Sequence, residues 1–185
     1  MKMNYEQRKR IAIVSMILLI FIGIVASGHR TLSQMEQTVE RAFAEGPAGQ
    51  TGMGIKEQLN EKILDAMSLI DFASEVAQVD ESLVENVRAA IKALQNAPTP
   101  SAKYDASETL TQAFSALHAA LLQRPLSKED LHHCNSIYDS FCQMEAEIRQ
   151  NPYNDIAREF NDVLKGFPTQ FIAMIVQVEP AELFE

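Results

Sequence analysis

Residues 55–79, IKEQLNEKILDAMSLIDFASEVAQV, decide the fold class. Leu59, Ile63, Met67 and Ile70 recur at steps of three and four, with Leu69, Phe72, Val76 and Val79 as a second row beside them. That spacing returns side chains to one face of a helix, whereas a half-buried strand would alternate apolar and polar residues. Two adjacent rows make an apolar face wide enough for a helix enclosed in a bundle. No stretch elsewhere alternates long enough to make a strand, so the chain reads as all-α.

Downstream, Leu83, Val87, Ala90, Ile91 and Leu94 continue the pattern to Asn96, with Asp80-Glu81-Ser82 marking a break and Ser82 with Glu85 fitting a capping box. Pro98 and Pro100 end this helix. Ser101 is placed to cap the next one, whose row is Leu110, Phe114, Leu117 and Leu121, flanked by Ala106, Ala113 and Ala120. After Arg124-Pro125, Ser127 with Glu129 and Asp130 opens a helix with the row Leu131, Cys134, Tyr138, Phe141, Met144, Glu145 and Ile148. Asn151-Pro152 forces a restart, and Tyr153, Ile156, Phe160, Val163, Leu164 and Phe167 follow. Upstream, Leu32, Met35, Val39, Ala42 and Phe43 keep helical spacing up to the loop GPAGQTGMG at 46–54. The expected helices are therefore about 29–45, 55–96 with a break near 80–82, 102–123, 128–150 and 153–167. Their short connections imply an elongated antiparallel four-helix bundle.

Residues 11–28, IAIVSMILLIFIGIVASG, are 18 residues without a charge. As a helix they span about 27 Å, close to the roughly 30 Å of a bilayer core. Lys2, Arg8, Lys9 and Arg10 precede them, and residues 31–185 carry 11 basic against 24 acidic side chains. The positive-inside bias predicts a cytoplasmic tail at 1–10, a transmembrane helix at 11–28 that meets the lipid bilayer, and an extracytoplasmic bundle at 29–185. The competing reading is a signal peptide cleaved after Val25-Ala26-Ser27, against which the apolar run exceeds the usual 7–15 residues of such leaders. Gly23 and Gly28 are five apart, which is not the spacing of close helix pairing.

The net charge of −9 argues against nucleic acid as a partner. His132, His133 and Cys134 are adjacent and point in different directions on a helix, so they do not share a metal ion. Cys134 and Cys142 stand about 12 Å apart along a helix axis, too far for a disulfide. The glycines at 46, 49, 52 and 54 match no nucleotide-binding pattern. Carboxylates such as Glu57, Glu61, Asp65 and Glu145 read as scattered over solvent faces. No catalytic residue, metal site or cofactor is expected, and the chain does not read as an enzyme.

The oddest local feature is Tyr153-Asn154, then Phe160-Asn161, then Phe167-Pro168, in steps of seven. Seven residues return a side chain to nearly the same helix face, so this pattern predicts an aromatic seam with asparagines beside it. It serves either as internal packing, with amides bonded to backbone carbonyls, or as a docking surface for a partner.

The segment PYNDIAREFNDVLKGFPTQFIAMI, with LFE beyond it, resembles the signature of the LemA family. The matching residues are Tyr153, Asn154, Asn161, Phe167, Pro168, Ile172, Ala173, Phe184 and Glu185. Val39 to Phe43 and IKEQLNEKILDAMSLI resemble earlier family segments. The chain departs from the pattern at Phe160, where tyrosine is usual, at Pro152, in GPAGQTGMG, and at Ile175-Val176-Gln177-Val178, so it looks like a divergent branch. The resemblance implies a bacterial protein with a membrane anchor, a long antiparallel bundle and no catalytic residues to carry over.

Two functions follow. One is a membrane-anchored, non-enzymatic scaffold or regulator of envelope proteins, docking them near Tyr153, Asn154, Phe160, Asn161, Phe167, Pro168 and Phe184. The other is an extracytoplasmic small-ligand or metal sensor, with Asn154, Asn161 and His132 or His133 converging on a pocket and Pro152 and the Gly loop as hinges.

Overall fold

The computed structural model describes residues 5–47, 52–76 and 79–185; residues 1–4, 48–51 and 77–78 and the Val76 side chain lie outside it. Parts of the expected tail, of the 46–54 loop and of the segment before Asp80 therefore fall beyond the described residues. Among those described the chain is helical with no strand: α1 (Tyr5–Ala44), α2 (Ile55–Val76), α3 (Glu81–Asn96), α4 (Pro100–Leu122), α5 (Lys128–Arg149), α6 (Tyr153–Lys165) and α7 (Thr169–Val176).

α1 runs unbroken from the charge-free segment into the folded body. Its large apolar side chains from Ile11 to Ile24 are exposed, and its buried residues begin at Leu32. It is long and apolar enough to cross a membrane.

Helices α2 to α5 run up-down-up-down. Asp65 of α2 faces Ser140 of α5 while Phe72 meets His133, so these two helices are antiparallel. Phe114 and His118 of α4 meet Phe141 and Tyr138 of α5 in reversed order. Met67 and Asp71 of α2 share a groove with Arg88 and Gln95 of α3. That groove corrects one expectation: the break near 80–82 is a chain reversal, and 55–96 is a helical hairpin rather than one interrupted helix. The α3 cap is also earlier than Ser82, since Asp80 Oδ1 accepts the Ser82 N–H at 2.9 Å. Thr99, not Ser101, caps α4: its hydroxyl accepts the Ala102 N–H at 3.3 Å, and Pro100 fits the first turn, where no donor is needed. Ser127 caps α5 as its sequence implies.

The core follows the apolar rows with three exceptions, one of them Phe167 beyond the end of α6. Met67 is 47% exposed and Leu131 41%, and Ala66 and Ile137 are buried in their stead. The chain also adds α7, an eight-residue helix beyond the expected end at 167. Gly166 stops α6, and the chain turns back at Phe167-Pro168. α6 and α7 pack on α1, α7 beside Ile20, Ile24 and Gly28.

Candidate functional site

Two linked features stand out where α1, α4 and α6 meet. The first holds residues 178–185, which return along α6. Asn161 Nδ2 donates to Ala181 O at 2.9 Å while its Oδ1 accepts the Ala181 N–H at 2.7 Å. Asn154 repeats the arrangement one turn-pair earlier, donating to Phe184 O at 2.9 Å and accepting its N–H at 2.8 Å. A side-chain amide carries a donor and an acceptor side by side, so each asparagine replaces a missing backbone partner. Tyr153 Oη donates to Glu182 O at 2.6 Å. Burial, with the Glu182 charge adding to it, raises the Tyr153 phenol to about 12. Phe184 is buried against Tyr104 of α4 and Phe43 of α1, with ring centroids 5.4 and 6.2 Å away.

Tyr153 and Phe160 are thus buried together with the return segment, and Asn154 and Asn161 spend their amides on it. Phe167 leaves the seam: α6 ends at Lys165, and the Phe167 ring is 86% exposed beside Pro168. The polar groups suggested for a sensor do not converge. His133 lies against Phe72 near the start of α5, roughly 25 Å along the helix axis from Asn151. Both cysteines are free, Cys134 buried and Cys142 exposed. Among the described residues no group of three or more His, Cys, Asp or Glu is placed to hold a metal.

The second feature escaped the sequence reading. Lys62 of α2 is fully buried; its ammonium donates to Ser107 Oγ and Thr111 Oγ1 at 2.7 Å each and pairs with Glu145 of α5. Arg149 holds the other Glu145 oxygen at 3.2 Å. Glu145 is therefore not on a solvent face. Its burial alone would raise its pKa, but Lys62 and Arg149 outweigh that and hold it below the ordinary carboxylate value. A cavity of about 180 Å³ joins the features, with Glu145 and Ser107 on one wall and Asn154 and Phe184 on the other. It is small for an organic ligand but roomy enough for ordered water.

Above the polar cluster, Phe114 stacks on Phe141 at 3.8 Å and His118 on Tyr138 at 4.1 Å. His118 Nε2 is buried without a partner among the described residues. Burial pushes the imidazole below its ordinary 6.5, against weaker opposing effects of Asn135 and Asp139. The folded protein thus resists a proton that the unfolded chain accepts, and stability falls as pH drops through 6.5 toward the folded value. His118→Phe is expected to keep the stack and flatten this acid-side loss in thermal unfolding; an unchanged pH slope would refute the assignment.

A wider groove of about 370 Å³ lies between α1, the start of α4 and the return segment. Val39, Phe43, Tyr153 and Phe160 form its apolar floor, and Glu36, Glu40, Glu179 and Glu182 its rim. A model described as the LemA family matches residues 53–185 of the chain. No curated protein matches it.

Proposed function

The chain belongs to the LemA family, and from that premise we infer that it is a membrane-anchored, non-enzymatic helical protein of the bacterial envelope that scaffolds or regulates partner proteins. Residues 11–28 span the bilayer, 1–10 lie in the cytoplasm and 29–185 lie outside. The observation that carries the scaffold reading is the groove between α1 and the return segment. Its apolar floor and four glutamates suit a partner segment that is apolar with basic flanks. A partner seated there touches both the anchor helix and the clasped segment, so its binding and the docking of residues 178–185 are coupled. Tyr153 and Phe160 belong to the floor such a partner would meet, whereas Asn154, Asn161 and Phe184 act indirectly by holding the return segment in place.

The test is site-specific photocrosslinking of the full chain in cells, with the reactive group at Glu182. An adduct with an envelope protein is expected, and Glu36→Lys with Glu40→Lys should remove it without changing the melting temperature, both being surface positions. Adducts that survive both charge reversals would overturn the groove as the docking site. Protease added to wall-stripped cells tests the topology: digestion beyond residue 30 with the N-terminal fragment retained is expected, and protection of the bundle would invert it.

A further inference from the structure

The α6–α7 corner exposes apolar side chains at a particular height on the molecule. Phe167, Phe171, Met174 and Ile175 are 86, 56, 72 and 54% exposed. Their spacing of four, then three and four, puts them on one side of the corner and of α7, while Ala173 faces inward. The Phe167 and Phe171 rings meet edge to face at 5.9 Å, so they form one patch. Nothing charged lies between Lys165 and Glu179. Outside α1, the other exposed large apolar side chains, such as Leu64, Leu122 and Leu131, stand on the α2–α5 bundle.

The height follows from α1. A Cβ added at Gly28 would lie 2.8 Å from Ile172 Cδ1, so α7 sits directly against the last residue of the charge-free run. The groove between them is lined by Thr169 and Ile172 on one side and by Ile20, Ile24 and Gly28 on the other. The corner therefore reaches alongside the end of the span itself. Apolar and aromatic side chains at that level match what the boundary between headgroups and acyl chains takes.

We propose that the α6–α7 corner is a second membrane contact, with Phe167, Phe171, Met174 and Ile175 dipping into the lipid boundary beside the anchor. This rests on the reading of residues 11–28 as a span. The occupant is lipid rather than a protein because α7 sits beside the exposed apolar face of α1 at Ile20 and Ile24, which as part of a span meets hydrocarbon. Since α7 is uncharged, the contact needs no anionic lipid. It fixes the tilt of the bundle over the membrane, because α1 alone would leave the body free to swing about one helix.

The chain contains no tryptophan, so a single introduced one reports cleanly. Full-length Phe171→Trp, with Met174→Trp as a second exposed position, is reconstituted into two sets of phosphatidylcholine vesicles, one with acyl chains brominated near the headgroup and one with acyl chains brominated near the terminal methyl, which reach the corner and the middle of the anchor respectively. Leu18→Trp marks the anchor, and Leu131→Trp the start of α5, far from α6. The expected result is loss of emission at Phe171→Trp, Met174→Trp and Leu18→Trp, with Leu131→Trp unaffected. Quenching at Leu18→Trp alone overturns the second contact and leaves the anchor standing. Quenching at none of them overturns both. A shift of the Phe171→Trp emission to shorter wavelength without quenching means a second copy covers the corner, and it overturns lipid as the occupant.

Discussion

Glu145→Ala is expected to destabilise the protein by about 3–5 kcal/mol, because it strands a buried ammonium. The Lys62 side chain is fully enclosed, with its Nζ 5.0 Å from the Phe141 ring centroid. Two hydroxyls and one carbonyl would remain to Lys62, none of them charged. Lys62→Met should cost less, since Glu145 keeps Arg149 and its side chain retains 17% exposure. Changing both residues, as Lys62→Met with Glu145→Leu, should recover part of the loss, because two apolar side chains of similar volume avoid the desolvation of the pair. Thermal unfolding of the full chain in detergent measures all three together with the single Glu145→Leu change that closes the cycle, and a coupling energy near zero between Lys62→Met and Glu145→Leu would sink the buried pair as a stabilising unit. The pH dependence has a definite sign. Glu145 is held below its ordinary 4.5, so the stability it supplies is present above that value and is lost as pH falls through the folded pKa. Lys62 is pushed below 10.5 by burial, against the pull of Glu145. In Glu145→Ala that pull is gone, and stability should recover as pH rises and the amine is released from its proton.

This pair also shows how far the sequence can be read. Ile55, Leu59, Lys62, Ala66, Leu69 and Ala73 follow one another at alternating steps of four and three, and all are buried. Lys62 thus sits in the core seam of α2, and Glu145 in that of α5 between Phe141 and Ile148. A seam with one charge of each sign on facing helices is the signal that would have located them. It was hidden because lysine and glutamate are surface residues by default and the wider apolar rows drew the face a residue aside. A polar pair in such a seam sets helix register, since a slip of one turn would bury both charges alone. The all-α class and the Ser127 cap were legible because they depend on local spacing and one side chain. The reversal between α2 and α3 was not: apolar periodicity continues across a reversal as smoothly as along one helix. The role of Asn154 and Asn161 was half legible. Their step of seven announces a shared face, but only the fold reveals that residues 178–185 come back to lie on it.

Phe184→Ala should release that segment. Removing a buried phenylalanine ring costs about 3–5 kcal/mol in a packed core. Ordering each backbone residue costs about 1–2 kcal/mol, so a segment held by one anchoring ring and a few hydrogen bonds is docked with little margin. The loss therefore appears locally: the Ala181 and Phe184 amides, which donate to Asn161 and Asn154, should exchange with solvent as in an open chain. Tyr153 gives a second readout. Docked, its phenol titrates at about 12 instead of 10.0; released, it should return toward the ordinary value in an absorbance titration. The same shift means that docking weakens as pH rises from 10.0 to about 12, because only the undocked phenol ionises in that interval. Asn154→Asp separates the clasp from general packing. The carboxylate still accepts the Phe184 N–H but presents an oxygen to the Phe184 carbonyl, where the amide donated. Docking should fail at neutral pH and return in acid, where the protonated carboxyl can donate again. Unchanged protection at Ala181 in Phe184→Ala would show that the asparagines alone hold the segment, and the ring would then lose its place as the anchor.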